Sequence, residues 1–226
     1  MASKSDKRGP ITLPNLLICE GPDDVSFFQA LLSAHHNLPH FSVRDTSHIK
    51  GQGAGNSRFS NALIGLRVDE ESFRTVERIL IVADNDEDPA ASFRNVQKQI
   101  NTAFGDKSAP SNVLEWAQVT PNIRLKVLMI PRANEQGNLE TLCKPVAEAA
   151  DLTAAAHIDA LANAARVDHW PNLMRRNEMW LRCNIAIRCK TNPFVFLGNV
   201  FREHKLLIPL GGNQFRHITD VLATFT

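Results

Sequence analysis

The chain of 226 residues lacks several features that mark particular protein classes. It contains no tyrosine, and its four cysteines form no CxxC pair: Cys19, Cys143, Cys183 and Cys189. These cysteines lie within apolar segments, which predicts buried thiols in a reducing compartment, so we expect a cytoplasmic protein. No apolar run approaches the roughly 18 residues that a membrane-spanning helix needs, so we expect no membrane partner.

The chain also lacks a strong net charge. It carries 25 Lys and Arg against 24 Asp and Glu, a formal net charge of +1. A balance this even does not draw the whole chain to nucleic acid, so nucleic-acid binding would depend on local patches. The length allows one large core. We predict a disordered tail over residues 1–13, an α/β domain over 14–150 and a helical C-terminal extension over 151–226, packed on that domain.

The acidic segment from residue 79 to residue 88 organises this prediction. Its first five residues are an apolar run, typical of a strand buried on both faces in a parallel sheet. Pro89 then opens a helical pattern, a normal position for proline. Open α/β sheets bind ligands at the carboxyl ends of their strands. We therefore predict that Asp84 and Asp86 lie at such an edge.

Two carboxylates this close repel each other, and a nearby cation would relieve that cost. Hard oxygen ligands favour magnesium or manganese. Acidic turns after strands are also common as solvated turns, and for Asp84 and Asp86 alone that alternative stays open. A second acidic strand end upstream strengthens the metal hypothesis.

That second strand end is Glu20. It closes the apolar run 16–19, and the turn at 21–24 then leads into a helix with apolar residues at helical spacing. Asp24 lies in the first turn of this helix, where compensation of the helix dipole is its alternative role. The fold class predicted is α/β, with a mostly parallel central sheet of about four strands flanked by helices.

Two further segments reach the same edge. Residues 125–130 are a predicted strand, and the turn at Gly137 leads into a helix that carries Glu140. The glycine-rich segment 51–56, flanked by Lys50 and Arg58, lacks the ending of a P-loop. It is either a phosphate-contacting loop or a simple turn.

Taken together, these motifs resemble the Toprim superfamily. Its signature is a glutamate that ends the first strand, often as EGxxD, and a DxD that ends a later strand; here these are residues 20–24 and 84–86. The layout is most similar to small stand-alone Toprim-related proteins, close to the Toprim domain of the overcoming-lysogenization-defect nucleases, whose GxLE turn would match residues 137–140. The resemblance covers residues 14–150 and implies a Rossmann-like fold.

The resemblance also implies roles for individual residues. Glu20, Asp84 and Asp86 would hold one Mg²⁺ or Mn²⁺, while Asp24 and Glu140 would help to bind a second ion or order its water shell. Lys190 is the candidate for a lysine that assists catalysis in some nuclease members. Apart from the resemblance, basic residues must offset the acidic cluster if a phosphodiester is to approach, and the candidates for that contact are Lys50, Arg58, Arg132 and Arg188. Because the chain has no tyrosine, topoisomerase-type transesterification is excluded unless a partner supplies that residue.

The predicted function is therefore metal-dependent phosphoryl transfer, most simply a nuclease that cleaves DNA or RNA. Two alternatives stay open: a non-catalytic Toprim module that binds nucleic acid or a partner ATPase, and a phosphohydrolase of a small metabolite. A long basic groove would favour nucleic acid, and a closed pocket would favour a metabolite. A homodimer is also left open.

Overall fold

The computed structural model describes residues 11–47 and 58–226 of the chain. Within these ranges five strands form one sheet: β1 (Asn15–Cys19), β2 (Ser42–Asp45), β3 (Arg78–Asp84), β4 (Ala117–Thr120) and β5 (Ile123–Ile130). Their order across the sheet is β2-β1-β3-β5-β4. All neighbours pair in parallel except β4, which is antiparallel to β5. The predicted α/β class with a mostly parallel sheet is thus confirmed.

Helices connect the strands and form the C-terminal third of the chain. In the described residues they are α1 (Pro22–Ala34), α2 (Arg58–Val68), α3 (Glu70–Thr75), α4 (Pro89–Phe104), α5 (Leu139–Ala150), α6 (Leu152–Ala164), α7 (Leu173–Arg188), α8 (Leu197–Glu203) and α9 (Arg216–Ala223). Short 3₁₀ turns lie at residues 167–169 and 213–215. None of the helices in this part of the chain is long and apolar enough to cross a membrane.

The sheet is buried on both faces, as its continuous apolar strands predict. Side chains alternate between faces along a strand, so Leu17 and Leu80 point to one apolar cluster while Ile18 and Ile81 point to the other. The paired register joins these same residues, Leu17 with Leu80 and Ile18 with Ile81. Helices α2 and α4 cover the second face, whereas α1, α5 and the C-terminal helices cover the first.

The C-terminal helices share a core with the sheet. Phe27 of α1 meets Phe201 and Phe215 edge to face, with ring centroids 5.3 Å and 5.4 Å apart. The last residues also reach back to the first strand, because the side-chain amide of Asn15 donates to the carbonyl of Phe225 at 3.1 Å. The boundary at residue 150 stays a prediction.

Two details differ from the predicted elements. Strand β4 was not predicted, because its four residues lie at the sheet edge and only Val119 among them is buried. Ile11, which we assigned to the disordered tail, is buried, and its N–H donates to Ser72 Oγ at 3.4 Å. Residues 1–10 of that tail lie outside the described part.

The direction of winding reverses between β1 and β3. From β1 the chain crosses to β2 on one side, and then to β3 on the other side of β1. In open α/β sheets a ligand binds where the direction of winding reverses, beyond the carboxyl ends of the two strands. The residues that follow β1 and end β3 are Glu20 and Asp84.

Candidate functional site

Three carboxylates lie near one another at the carboxyl ends of β1 and β3. The backbone N–H of Asp84 donates to Glu20 Oε1 at 3.3 Å, which ties the two strand ends together. Asp24 lies in the first turn of α1, and its Oδ2 accepts a hydrogen bond from the N–H of Gly21 at 3.0 Å. All three acidic side chains are partly buried. The EGxxD motif therefore folds back so that its two carboxylates face the end of β3.

Burial strongly perturbs these groups. It is the largest cause that raises the pKa of Asp84 to about 9, and the negative charges of nearby carboxylates add to it. In descending order those neighbours are Asp24, Glu20, Asp86 and Glu140. Burial also raises the pKa of Asp24 to about 7 and raises the pKa of Glu20. In residues 11–47 and 58–226 no ion pair reaches any of the three. The charge of Arg58 offsets only part of the rise in the pKa of Glu20, and protons or a bound cation would relieve the remaining repulsion.

The loop after β3 is fixed to the turn before α5. Asp86 and Gly137 exchange two backbone hydrogen bonds, at 3.0 Å and 2.9 Å. Gly137 has φ of +139°, and a Cβ there would lie 2.6 Å from Thr141 Oγ1, so only glycine fits. Asn138 then caps α5 by accepting from the N–H of Thr141, which places Glu140 in the first helical turn.

Asn85, between the two aspartates, was not predicted as a site residue. It is fully buried, and its side-chain amide donates to the carbonyls of Arg132 and Glu135, the latter at 2.7 Å. Its own N–H donates to the carbonyl of Ile130 at 3.0 Å. Asn85 is thus a positioning residue that holds the DxD loop against the loop after β5. Its partners lie far away in sequence, so local patterning carries no signal for it.

The predicted basic residues fall into different places. Arg58, the exposed first residue of α2, lies close enough for its charge to lower the pKa of Glu20. Arg132 is exposed at the loop after β5, with its Nε 3.8 Å from a carboxylate oxygen of Glu135. Lys50 and the glycine-rich segment lie outside the described residues.

Arg188 and Lys190 lie on the C-terminal helical part. Arg188 has a side chain only 11% exposed; it pairs with Asp151 at 3.6 Å and donates to several protein oxygens. These acceptors are the carbonyls of Ala147, Leu206 and Leu207 and the Oδ1 of Asn184. The side chain of Lys190 is exposed and makes no hydrogen bond or ion pair to any described residue. Arg188 is therefore bonded within the protein and does not join the acidic edge of the sheet. The five acidic residues, by contrast, lie at that edge.

The acidic residues fit a hard cation in their chemistry. Glu20, Asp24, Asp84, Asp86 and Glu140 offer only carboxylate oxygens, which suit Mg²⁺ or Mn²⁺ better than zinc or copper. As their side chains stand, no three His, Cys, Asp or Glu residues in the described ranges are grouped to share an ion. Ion binding would therefore require rotation of the acidic side chains around the fixed backbone of the two strand ends.

Three comparisons with known proteins place the chain. Residues 14–176 match the family model described as a protein of unknown function, DUF3226. The fold is similar to the crystal structure of a hypothetical protein from Pyrococcus horikoshii OT3, with 17% sequence identity and a TM-score of 0.50. That alignment covers 92% of this chain and 98% of the other, and at this identity it concerns the fold alone. No curated protein matches the chain.

Proposed function

Since the chain belongs to the DUF3226 family, whose description assigns no activity, we propose a function from the site itself: metal-dependent phosphoryl transfer, with a nucleic-acid phosphodiester as the substrate. The observation that carries this proposal is the meeting of Glu20, Asp24 and Asp84 at the switch point between β1 and β3, without an ion pair from the described residues. The motif resemblance to the Toprim superfamily supports the same chemistry.

The proposed ligands are the residues that the strand ends bring together. Glu20, Asp84 and Asp86 would hold one Mg²⁺, and Asp24 and Glu140 would hold a second ion or its water shell. Bound at this site, such ions supply an activated water and stabilise the leaving oxygen of a phosphodiester.

The surrounding residues would orient and balance this chemistry. Asn85 and the backbone pair of Asp86 and Gly137 keep the DxD loop in place. Arg58 supplies positive charge beside Glu20, which would offset part of the negative charge that an incoming phosphate meets. Arg188 is left out of the proposal because its donors are already engaged within the protein.

The cellular setting is part of the proposal. All four cysteines are free thiols, which agrees with a reducing cytoplasm. A partner ATPase and a homodimer remain predictions from the sequence. The non-catalytic module and the metabolite phosphohydrolase are rival functions, and the nuclease assay separates the proposed function from both.

The test is cleavage of labelled single- and double-stranded DNA and RNA with Mg²⁺, Mn²⁺ or EDTA. We expect metal-dependent cutting that Asp84→Asn abolishes and Asp88→Asn retains. Asp88 is a suitable control because it caps α4 by accepting from the N–H of Ala91 at 2.9 Å, a role that asparagine also fills. Metal binding without cutting of any nucleic acid would contradict the nuclease and favour a rival function.

A further inference from the structure

Two exposed phenylalanines stand beside the carboxylate site. The side chains of Phe194 and Phe196 are 88% and 71% exposed, whereas the other ten phenylalanines are buried or half-buried. Large apolar side chains that are exposed together on one part of a protein surface mark a binding surface more often than single, scattered side chains do. We call residues 193–197, with these two rings on the outside, the phenylalanine ridge.

The ridge is held firmly by its alternate residues. Val195 and Leu197 point inward and belong to the apolar cluster on the first face of the sheet. Just before the ridge, the side-chain Oδ1 of Asn192 accepts a hydrogen bond from the N–H of Phe194 at 3.1 Å. Just after the ridge, the N–H of Gly198 donates a hydrogen bond to Asp23 Oδ1 at 2.9 Å. The two rings are therefore presented on a fixed backbone, so little ordering would be needed when a ligand binds.

Each of the two phenylalanines lines a cavity whose wall includes an acidic residue of the site or one next to it in sequence. Phe194 lines an apolar cavity of about 300 Å³ whose wall also includes Glu140, Arg182 and Leu181. Phe196 lines a more polar groove of about 590 Å³ together with Asp23, Arg44 and Arg202. Burial raises the pKa of Glu140, and the charges of Glu178 and then Asp23 add to that rise, so Asp23 and Glu140 are electrostatic neighbours. The ridge thus runs along the rim of the acidic cluster.

Positive charge alternates with the rings. Arg182 lies at the Phe194 cavity, where its charge lowers the pKa of Glu140 although it also pairs with Glu178 at 3.1 Å. Arg202, exposed in the Phe196 groove, bonds the side chain of Asn199 and has no carboxylate partner in the described part of the chain. Aromatic rings interleaved with arginines are the elements by which proteins bind single strands, through base stacking and phosphate contacts.

From this arrangement we propose that the phenylalanine ridge is a stacking platform for single-stranded nucleic acid, with successive bases on Phe194 and Phe196 and phosphates at Arg182 and Arg202. This deepens the proposed function and rests on it, since it names the single strand as the substrate form that reaches the carboxylates. A duplex keeps its bases stacked on each other, so it cannot use the rings in this way.

The binding test separates the platform from the chemistry. Fluorescein-labelled short single strands of DNA and of RNA, and the matching duplexes, are titrated in EDTA with the Asp84→Asn protein and followed by anisotropy. We expect single strands to bind more tightly than duplex. Phe194→Leu and Phe196→Leu keep an apolar side chain but remove the ring, and each should weaken binding about tenfold. Phe194→Trp should retain binding, and the stacked base should quench the fluorescence of the introduced tryptophan. Leu206→Ala is the control, because that exposed side chain lies outside the ridge.

Arg202→Gln tests the electrostatic part. It should weaken binding at low salt. It should also reduce the slope of log affinity against log salt concentration by about 0.7, the value for one lost phosphate contact on a single strand. Loss of affinity in Phe194→Leu with full recovery in Phe194→Trp would support base stacking. Equal affinity of the Asp84→Asn protein with and without either leucine substitution would overturn the platform. Self-association that the leucine variants abolish, without oligonucleotide binding, would also overturn it and assign the ridge to a second copy.

Failure of the platform and failure of the proposed function give different results. Metal-dependent cleavage that both leucine variants retain at wild-type kcat/KM would leave the nuclease standing and remove the platform. Single-strand binding lost in the leucine variants, in a wild type that cuts nothing with any metal, would keep the platform and remove the nuclease.

Discussion

The backbone N–H of Asp84 donates to a carboxylate oxygen of Glu20 at 3.3 Å, so the end of one central strand is bonded to the residue that follows its neighbour. This contact fixes one oxygen of Glu20 but leaves the carboxylate of Asp84 facing other acids. As a result, the carboxyl groups of the site resist ionisation when no cation is bound. Several measurable properties depend on that resistance.

Asp84→Asn should stabilise the metal-free protein. The pKa of Asp84 is raised to about 9, chiefly by burial, so at neutral pH the folded state retains a proton that the unfolded chain gives up. Asparagine has the same shape and removes that cost. In EDTA the melting temperature should rise, by roughly 2–4 °C for each kcal/mol gained in a chain of this size. An unchanged or lower melting temperature, with Asp88→Asn equal to wild type, would contradict the raised pKa.

Stability of the metal-free protein should fall as pH rises. Between 3.8, the ordinary value, and about 9, the folded state holds a proton on Asp84 that the unfolded state has released. Asp24 adds to this between 3.8 and about 7. Linkage then lowers the free energy of unfolding by about 1.4 kcal/mol per pH unit for each such proton. Urea denaturation in EDTA across this range measures the slope, which Asp84→Asn should reduce and saturating Mg²⁺ should flatten. An identical slope in that variant would contradict the assignment.

Gly137→Ala should damage both stability and activity. Alanine would have to adopt φ of +139° and place its Cβ 2.7 Å from Thr141 Cβ, so the turn that bonds to Asp86 must shift. Gly105→Ala is the matched control, because that glycine has φ of +104° but an added Cβ meets nothing within 4 Å. We expect the control to cost about 1–3 kcal/mol of unfolding free energy from strain alone, and Gly137→Ala to cost more. Equal losses would mean that the contact with Thr141 is easily relieved.

Asn85→Ala should lower activity through the loop that it positions. The variant leaves the carbonyls of Arg132 and Glu135 without their donor, which we expect to cost about 1–3 kcal/mol of stability. The folded fraction should show a lower kcat, because the DxD loop is no longer held against its neighbour. Asn112→Ala, at an exposed asparagine that bonds Glu115 at 2.8 Å, is the control. Normal kcat in Asn85→Ala would remove its positioning role.

Arg188→Ala should behave as a stability variant. Its guanidinium bonds Leu207 O at 2.9 Å and Asn184 Oδ1 at 3.0 Å, and it pairs with Asp151, so its loss should cost about 2 kcal/mol or more. Oligonucleotide affinity per folded molecule should equal that of wild type. A specific loss of affinity at full stability would instead restore the phosphate-contact role that we predicted from the sequence.

The sequence could predict the acidic edge because its signal is local. The apolar runs before Glu20 and Asp84 are continuous, and continuous runs of that kind occur in strands buried on both faces. Parallel strands end at the same edge, so the order of the motifs was enough to bring Glu20, Asp24 and Asp84 together. Strand β4 carried no comparable signal, because a short polar strand at a sheet edge resembles a loop.

Non-local relationships explain what sequence reasoning missed. Asn85 matters through carbonyls 47 and 50 residues away, which no local pattern predicts. Nothing in the sequence distinguishes Arg188 from a surface arginine. Its burial follows from the packing of α7 against the end of α5 and the 206–207 loop. Phe194 and Phe196 lie in an apolar segment where burial is the ordinary expectation. Their exposure follows only from the inward packing of Val195 and Leu197.

The bond from Asn15 to the carbonyl of Phe225 spans 210 residues, and it sets an order of events during synthesis. When β1, β3 and β5 have left the ribosome, the helices that cover their first face are still being made. Part of the apolar first face, beyond what α1 and α5 cover, therefore stays uncovered until α9 emerges, and a nascent chain in that state is exposed to chaperones and to aggregation.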